Sequence, residues 1–186
     1  GSGFSRIRIR IPTIPARNGF RFGRGMDHHH AHPLRDFDYA GFCHYSLTWC
    51  CEDRKPLFTQ EDRVKLILSQ LFRAATESES AIVAYCFMPD HLHQLVKGCS
   101  ASADGKKYMK RAKQYAGYYY SRPFGEKPFQ RYGYDRWHRE DTEIPGAVRY
   151  IIENPVRAGL VERPELYPFT GSQLYSMKEL MEWAYR

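Results

Sequence analysis

The stretch that most constrains this chain runs from Ala81 to Lys97. It opens with Ala81-Ile82-Val83-Ala84-Tyr85-Cys86-Phe87, breaks at Met88-Pro89-Asp90, and resumes from His91 to Lys97. A short continuous apolar run reads as a buried strand, and the triplet centred on proline as a turn. The segment after it reads as a returning strand, so the whole is a β-hairpin.

The remaining elements can be read around that hairpin. Tyr39 to Cys51 is rich in aromatic and β-branched residues and predicts a first strand. Thr59 is read as an N-cap, and Val64, Ile67, Leu68, Leu71, Phe72 and Ala75 recur at helical spacing behind it, giving one apolar stripe for a sheet to cover. Gly105 to about Ser121 predicts a second helix ended by Pro123, and Tyr132 to Arg139 a fourth strand. Ile144 to Glu153 predicts a third helix, with Pro145 tolerated in its first turn and Pro155 disfavouring helical geometry at Asn154. The order βαββαβα predicts an α+β, ferredoxin-like fold: an antiparallel sheet with helices on one face.

Three segments are expected. Residues 1–36 read as a basic arm, 37–176 as the folded domain, and 177–186 as a tail or helix. In the arm, Gly1-Ser2-Gly3 resembles an expression scar and Met26 a native start. The Arg6–Ile11 alternation reads as a short strand stopped by Pro12, and His28, His29, His30 and His32 as a tag-like cluster. The five cysteines are odd in number and lack a C-x-x-C pair, so free thiols are expected rather than a disulfide framework or a zinc ribbon. No apolar run is long enough to cross a bilayer and no signal peptide is evident, which predicts a cytoplasmic protein.

The formal charge of +7 points to a nucleic-acid partner, but six of those net charges belong to arginines within residues 1–26. The local cluster is more informative. Lys106, Lys107, Lys110, Arg111 and Lys113 fall within eight positions and are interleaved with Tyr108, Tyr115, Tyr118, Tyr119 and Tyr120, a mixture suited to phosphate contacts and base stacking. A solvated helix face is the simpler reading of the charges, and core packing that of some of the tyrosines.

Two constellations carry chemistry. His91 and His93 alternate on one strand and so share a face, where two imidazoles can hold one metal ion. Of the fourteen tyrosines only Tyr150 has an amide side chain four residues on, at Asn154, and helical spacing turns that pair the same way. Tyr134 with His138 is the nearest competitor.

Tyr85-Cys86-Phe87-Met88-Pro89-Asp90-His91-Leu92-His93 resembles the histidine–hydrophobic–histidine motif of single-tyrosine transposases. Tyr150-Ile151-Ile152-Glu153-Asn154-Pro155-Val156-Arg157-Ala158-Gly159-Leu160-Val161 is similar to the tyrosine helix of the REP-associated tyrosine transposases, as are Phe129 to Arg136 and Tyr167 to Ser172 to other parts of that group. The one departure is Pro145-Gly146, where such proteins have a longer lead-in to the tyrosine helix. The resemblance implies His91, His93 and Asn154 as ligands of Mg²⁺ or Mn²⁺ and Tyr150 as nucleophile. It also implies single-stranded or hairpin DNA as substrate, a 5′-phosphotyrosine intermediate, and either a monomer or a homodimer. Arg131 and Arg136, inside a matching segment, join the α-helical cluster and Tyr115 as expected DNA contacts. Two other readings stand beside this one: a catalytically silent protein binding hairpin repeats, and a zinc hydrolase using His91 and His93.

Removing residues 1–25 deletes six arginines and no acid. Nonspecific DNA affinity should fall, and the slope of log K against log salt should flatten by at most about 0.9 per lost phosphate contact. Fluorescence anisotropy at several salt concentrations checks this.

Overall fold

A computed structural model describes residues 39–138 and 141–186; the side chains of residues 135–137 are outside that description. The expectations for the arm, its strand and its histidine cluster therefore lie outside the described residues.

Among the described residues, five strands form one antiparallel sheet: β1 (His44–Cys50), β2 (Ser80–Met88), β3 (His91–Gly98), β4 (Tyr134–His138) and β5 (Thr170–Gly171), in the order β4-β1-β3-β2-β5. The first four have the expected α+β arrangement, with the hairpin strands β2 and β3 adjacent. Helices α1 (Glu61–Glu77), α2 (Gly105–Phe124), α3 (Ile144–Arg157) and α4 (Met177–Ala184) complete it.

Strand alternation divides the sheet into two unlike faces. Opposed residues point the same way. One face is therefore given by Trp49 opposite Leu92 opposite Phe87, and the other by Thr48 opposite His93 opposite Cys86. α1 and α2 cover the first face. Their apolar stripes, Val64, Ile67 and Leu71 with Tyr108, Ala112, Ala116 and Tyr120, are buried against Leu47, Trp49 and Leu92. Trp49 stacks on Tyr108 at 6.4 Å between ring centroids, and the Tyr108 hydroxyl donates to Gln94 Oε1 at 2.5 Å.

A β-bulge between Ile82 and Ala84 keeps β2 in step with this division. Ala84 opposes Leu95, whereas Ile82 opposes Val96, so the two are on opposite faces despite their even spacing.

α3 departs from the expectation of helices on one face. It lies on the second face, with the Tyr150 ring set edge-on to His93 at 5.6 Å between centroids. Its buried residues Val148, Ile151, Ile152 and Pro155 close over that side, and α4 packs on α3 in turn. A strand with apolar residues on both faces, as β2 has from Ala81 to Met88, needs this second cover.

Several boundaries also differ from those predicted. The N-cap of α1 is Gln60 rather than Thr59. α2 continues through Pro123 to a left-handed Gly125 cap, and α3 through Pro155 to Arg157. Both prolines fall in or near a last turn, where few carbonyls lose a donor. Pro145 occupies the first turn of α3, as its lack of an N–H allows.

Tyr108→Phe removes the donor to the buried Gln94 Oε1. It should lower stability by about 1–2 kcal/mol, read from urea or thermal unfolding.

Candidate active site

The site forms where the start of β3, the end of β1 and the middle of α3 meet. Its centre is the pair of imidazoles. His91 Nε2 and His93 Nε2 lie 3.0 Å apart, with the rings nearly perpendicular at 88°.

The outward nitrogens are both held. His91 Nδ1 is 2.6 Å from Asp90 Oδ1, and His93 Nδ1 is 2.9 Å from Thr48 Oγ1. Burial alone would raise the Asp90 pKa, but the His91 hydrogen bond and the nearby His91 and Arg54 charges outweigh it and hold it below the ordinary value. An ionised carboxylate only accepts, so His91 carries its proton on Nδ1 and turns a lone pair from Nε2 toward His93. The Thr48 hydroxyl can accept or donate, which lets His93 face that lone pair with either an N–H or a lone pair of its own. In the second case the two nitrogens repel unless a cation lies between them.

The donor set fits such a cation. Two nitrogens in adjacent corners of an octahedral sphere stand about 3 Å apart when each is about 2.1 Å from the metal. His93 is buried, and burial, reinforced by the charges of His91, Arg157 and Arg54, holds its pKa well below the ordinary histidine value. It is neutral at physiological pH, the state a metal ligand requires. Among the described residues no cluster of three or more His, Cys, Asp and Glu side chains is placed for a metal. A third protein ligand would then have to be of another kind, such as an amide.

α3 supplies the other two predicted residues. Tyr150 is half-buried, with one edge against His93 and the Arg157 guanidinium 4.3 Å from its ring centroid. Asn154 is one turn further on. Its Nδ2 donates to Tyr150 O at 2.8 Å and lies 3.5 Å from Ile151 O, the carbonyl that Pro155 deprives of a backbone donor. That leaves Oδ1 as the amide atom able to ligate. Tyr134 and His138, the competing pair, sit in β4, where four residues span about 13 Å and cannot act together.

The basic cluster is placed differently. α2 lies on the sheet face opposite the histidines, so Lys106, Lys107, Lys110, Arg111, Lys113 and Tyr115 are not brought to the imidazole pair. Arg111 and the Tyr115 hydroxyl both bind Glu77 of α1, Tyr115 at 2.7 Å. Lys113 Nζ donates to the carbonyls of Gln130 and Arg131 at 3.1 and 3.0 Å over the Trp49 ring, and burial brings its pKa down to about 8. Lys106, Lys107 and Lys110 are exposed, as is Arg131, whose guanidinium stacks near Tyr132. Arg136 pairs with Ser46 in β4, and its side chain is outside the described residues.

Four residues at the site were not singled out from sequence. In sequence Asp90 reads as a turn residue inside the histidine motif with no role of its own, and Thr48 is recognisable only once the β1–β3 register is known. Arg54 lies 3.4 Å from Asp90, and Arg157 stands seven residues beyond Tyr150, two helical turns away on one face. That last spacing was a usable signal.

A sheet of this order, carrying a histidine pair with His93 buried and His91 partly exposed on the face covered by a tyrosine-bearing helix, belongs to a recognisable class. Residues 40–140, more than half of the chain, match the model of the IS200-like transposases. The protein belongs to that family. The matched stretch includes both histidines and ends before α3. Among solved structures, the chain is similar to a REP-associated tyrosine transposase bound to a REP hairpin. Identity there is 18%, coverage is 74% of this chain and 81% of that one, and the TM-score is 0.61. A putative transposase from Deinococcus radiodurans R1 is also similar, at 18% identity with 66% and 95% coverage and a TM-score of 0.43. No curated protein matches. Among the described residues no helix is long and apolar enough to cross a membrane.

A base whose folded pKa is depressed contributes stability that is full above its unfolded pKa and is lost as pH falls toward the folded value. Stability should therefore decline as pH falls below the ordinary histidine value of 6.5, with a slope set by the uptake of at most one proton at His93. His93→Gln should reduce that decline between pH 7.5 and 5.0, measured by chemical denaturation.

Proposed function

We propose that the chain nicks and rejoins single-stranded DNA through Tyr150, with His91, His93 and Asn154 binding Mg²⁺ or Mn²⁺. The observation that carries this reading is the convergence of the two Nε2 atoms at 3.0 Å, each ring anchored from behind, beside the ring of the only tyrosine with an amide one turn on.

The bound metal would supply Lewis-acid withdrawal of charge from a phosphate oxygen and a template for in-line displacement. The remaining steps belong to the protein. His93 and Arg157 both pack against the Tyr150 ring, which limits where its hydroxyl can point. Tyr150 Oη attacks phosphorus, the P–O3′ bond breaks, the phenolic proton leaves to solvent and the 3′-oxygen is protonated. The 5′ end stays joined to Tyr150. Because a phenol of pKa about 10 is a better leaving group than an alcohol, a later 3′-hydroxyl displaces it and reseals a strand without ATP.

The similar solved transposase is bound to a REP hairpin, so a hairpin with a single-stranded extension is the substrate we propose. Lys106, Lys107, Lys110 and Arg131, whose side chains are exposed, are proposed to contact DNA away from the scissile phosphate. Asp90 and Thr48 are positioning residues, and losing either should weaken metal binding by about 10- to 100-fold.

Tyr150→Phe should fold, bind Mn²⁺ and bind the hairpin, yet form no covalent adduct on a denaturing gel. His91→Ala and His93→Ala should abolish cleavage while retaining most DNA affinity. Peptide mapping of the wild-type adduct is the deciding measurement: attachment to Tyr134 or another tyrosine overturns the assignment, and binding with no adduct at all overturns the nicking activity.

A further inference from the structure

Two arginines from different elements reach the histidine–tyrosine centre. Arg54 ends a 3₁₀ turn (Glu52–Arg54) directly after β1. Asp53 and Arg54 both have left-handed backbone, with φ of 53° and 55°. Neither is glycine, so both hold a backbone conformation that side chains with a Cβ rarely adopt. The turn is held by its surroundings: Cys51 N–H donates to Asp90 O at 2.8 Å and Phe58 N–H to Pro89 O at 3.0 Å, tying the segment to the turn before His91. What the strained turn achieves is the placement of Arg54 Nη1 3.4 Å from Asp90 Oδ2, on the carboxylate whose other oxygen holds His91.

Arg157 arrives from the last turn of α3. It lies over the Tyr150 ring, donates to Tyr150 O at 2.5 Å, and is 3.6 Å from Glu153. The side chains are 41% and 45% exposed, and a guanidinium has five N–H donors, so each keeps donors for a ligand. The charges of both are felt at His93. Asp90 and Glu153 are the acids paired with them. Adding a divalent cation to this centre gathers positive charge that only an anionic ligand would balance.

We propose that Arg54 and Arg157 grip the DNA backbone at the nicking site, each taking one phosphate beside the scissile one, while Asp90 anchors both Arg54 and His91. The proposal rests on the nicking site described above and names how that site holds its strand. Arg54 is a positioning residue for His91 as well as a phosphate contact, and the two roles separate experimentally.

The test is a binding cycle in the Tyr150→Phe background, which isolates affinity from cleavage. The probe is a hairpin with a single-stranded extension, together with versions in which one extension phosphate at a time is a neutral methylphosphonate. Arg54→Gln and Arg157→Gln should each weaken binding about tenfold and lower the salt slope by about one. One methylphosphonate position should cost the parent about tenfold and cost Arg157→Gln almost nothing; a second position should behave the same way with Arg54→Gln. Arg54→Lys and Arg157→Lys, which keep the charge, should retain most affinity, and their melting transitions control for folding. Methylphosphonate penalties that are equal in parent and arginine variants overturn the proposal, as does an extension that adds nothing to parental affinity. Because the readout is binding, absence of a covalent adduct in the wild type defeats the nicking activity alone.

Discussion

The pairing of β1 with β3 is the constraint on which everything else rests. It sets Thr48 opposite His93 and Trp49 opposite Leu92, and these two adjacent pairs point to opposite faces. Because side chains alternate with a period of two, a slip of one residue would bury the imidazoles under α1 and α2 and turn Leu92 outward. The apolar residues forbid that slip. Trp49 is locked between Tyr108 and Phe129, at 6.4 and 5.4 Å, and Tyr108 is tied to Gln94. The aromatic core on one face thus guarantees the placement of the histidines on the other.

α3 is built around a local defect that the site turns to use. Pro155 lacks an N–H and would leave Ile151 O without its helical partner. The side-chain amide of Asn154 sits by that carbonyl and donates to Tyr150 O, where Arg157 donates as well. Two side chains therefore stitch the last turns of the helix onto the backbone of Tyr150. The proline that should end the helix instead accounts for how the amide nitrogen of Asn154 is engaged, and so for which of its atoms remains able to ligate.

Much of this was legible in the sequence, for identifiable reasons. The hairpin from Ala81 to Lys97 declared itself by its apolar run and proline turn, and α1 by the spacing of Val64, Ile67 and Leu71. What could not be read was relative placement. The face on which α3 lies depends on β2 being apolar on both sides, and a continuous apolar run does not say which helix covers which side. β5 has only two residues, too few for any periodicity, yet Phe169 O and the Gln173 side chain join it in covering the outer edge of β2. Charge was the least legible property. Lys106 and Lys113 look alike in sequence, but one is exposed while the other is inserted between Trp49 and two loop carbonyls.

The division of labour between the two faces also explains why the tyrosines sort as they do. Tyr45, Tyr108 and Tyr120 are buried on the α1/α2 side, where they fill volume. Burial, reinforced by the neighbouring Tyr45, pushes the Tyr108 hydroxyl well above the ordinary tyrosine pKa, and a group so reluctant to lose its proton makes a poor nucleophile. Tyr150 lies on the other face, half-buried, flanked by an imidazole on one side and a guanidinium on another. Aromatic rings pack into a core for their area, and the same side chain becomes available for chemistry only where the cover over it is incomplete. Tyr118, Tyr119, Tyr132, Tyr134 and Tyr185 are more exposed still, but Tyr150 is the one whose incomplete cover lies at the seam between β3 and α3, with its ring against a histidine.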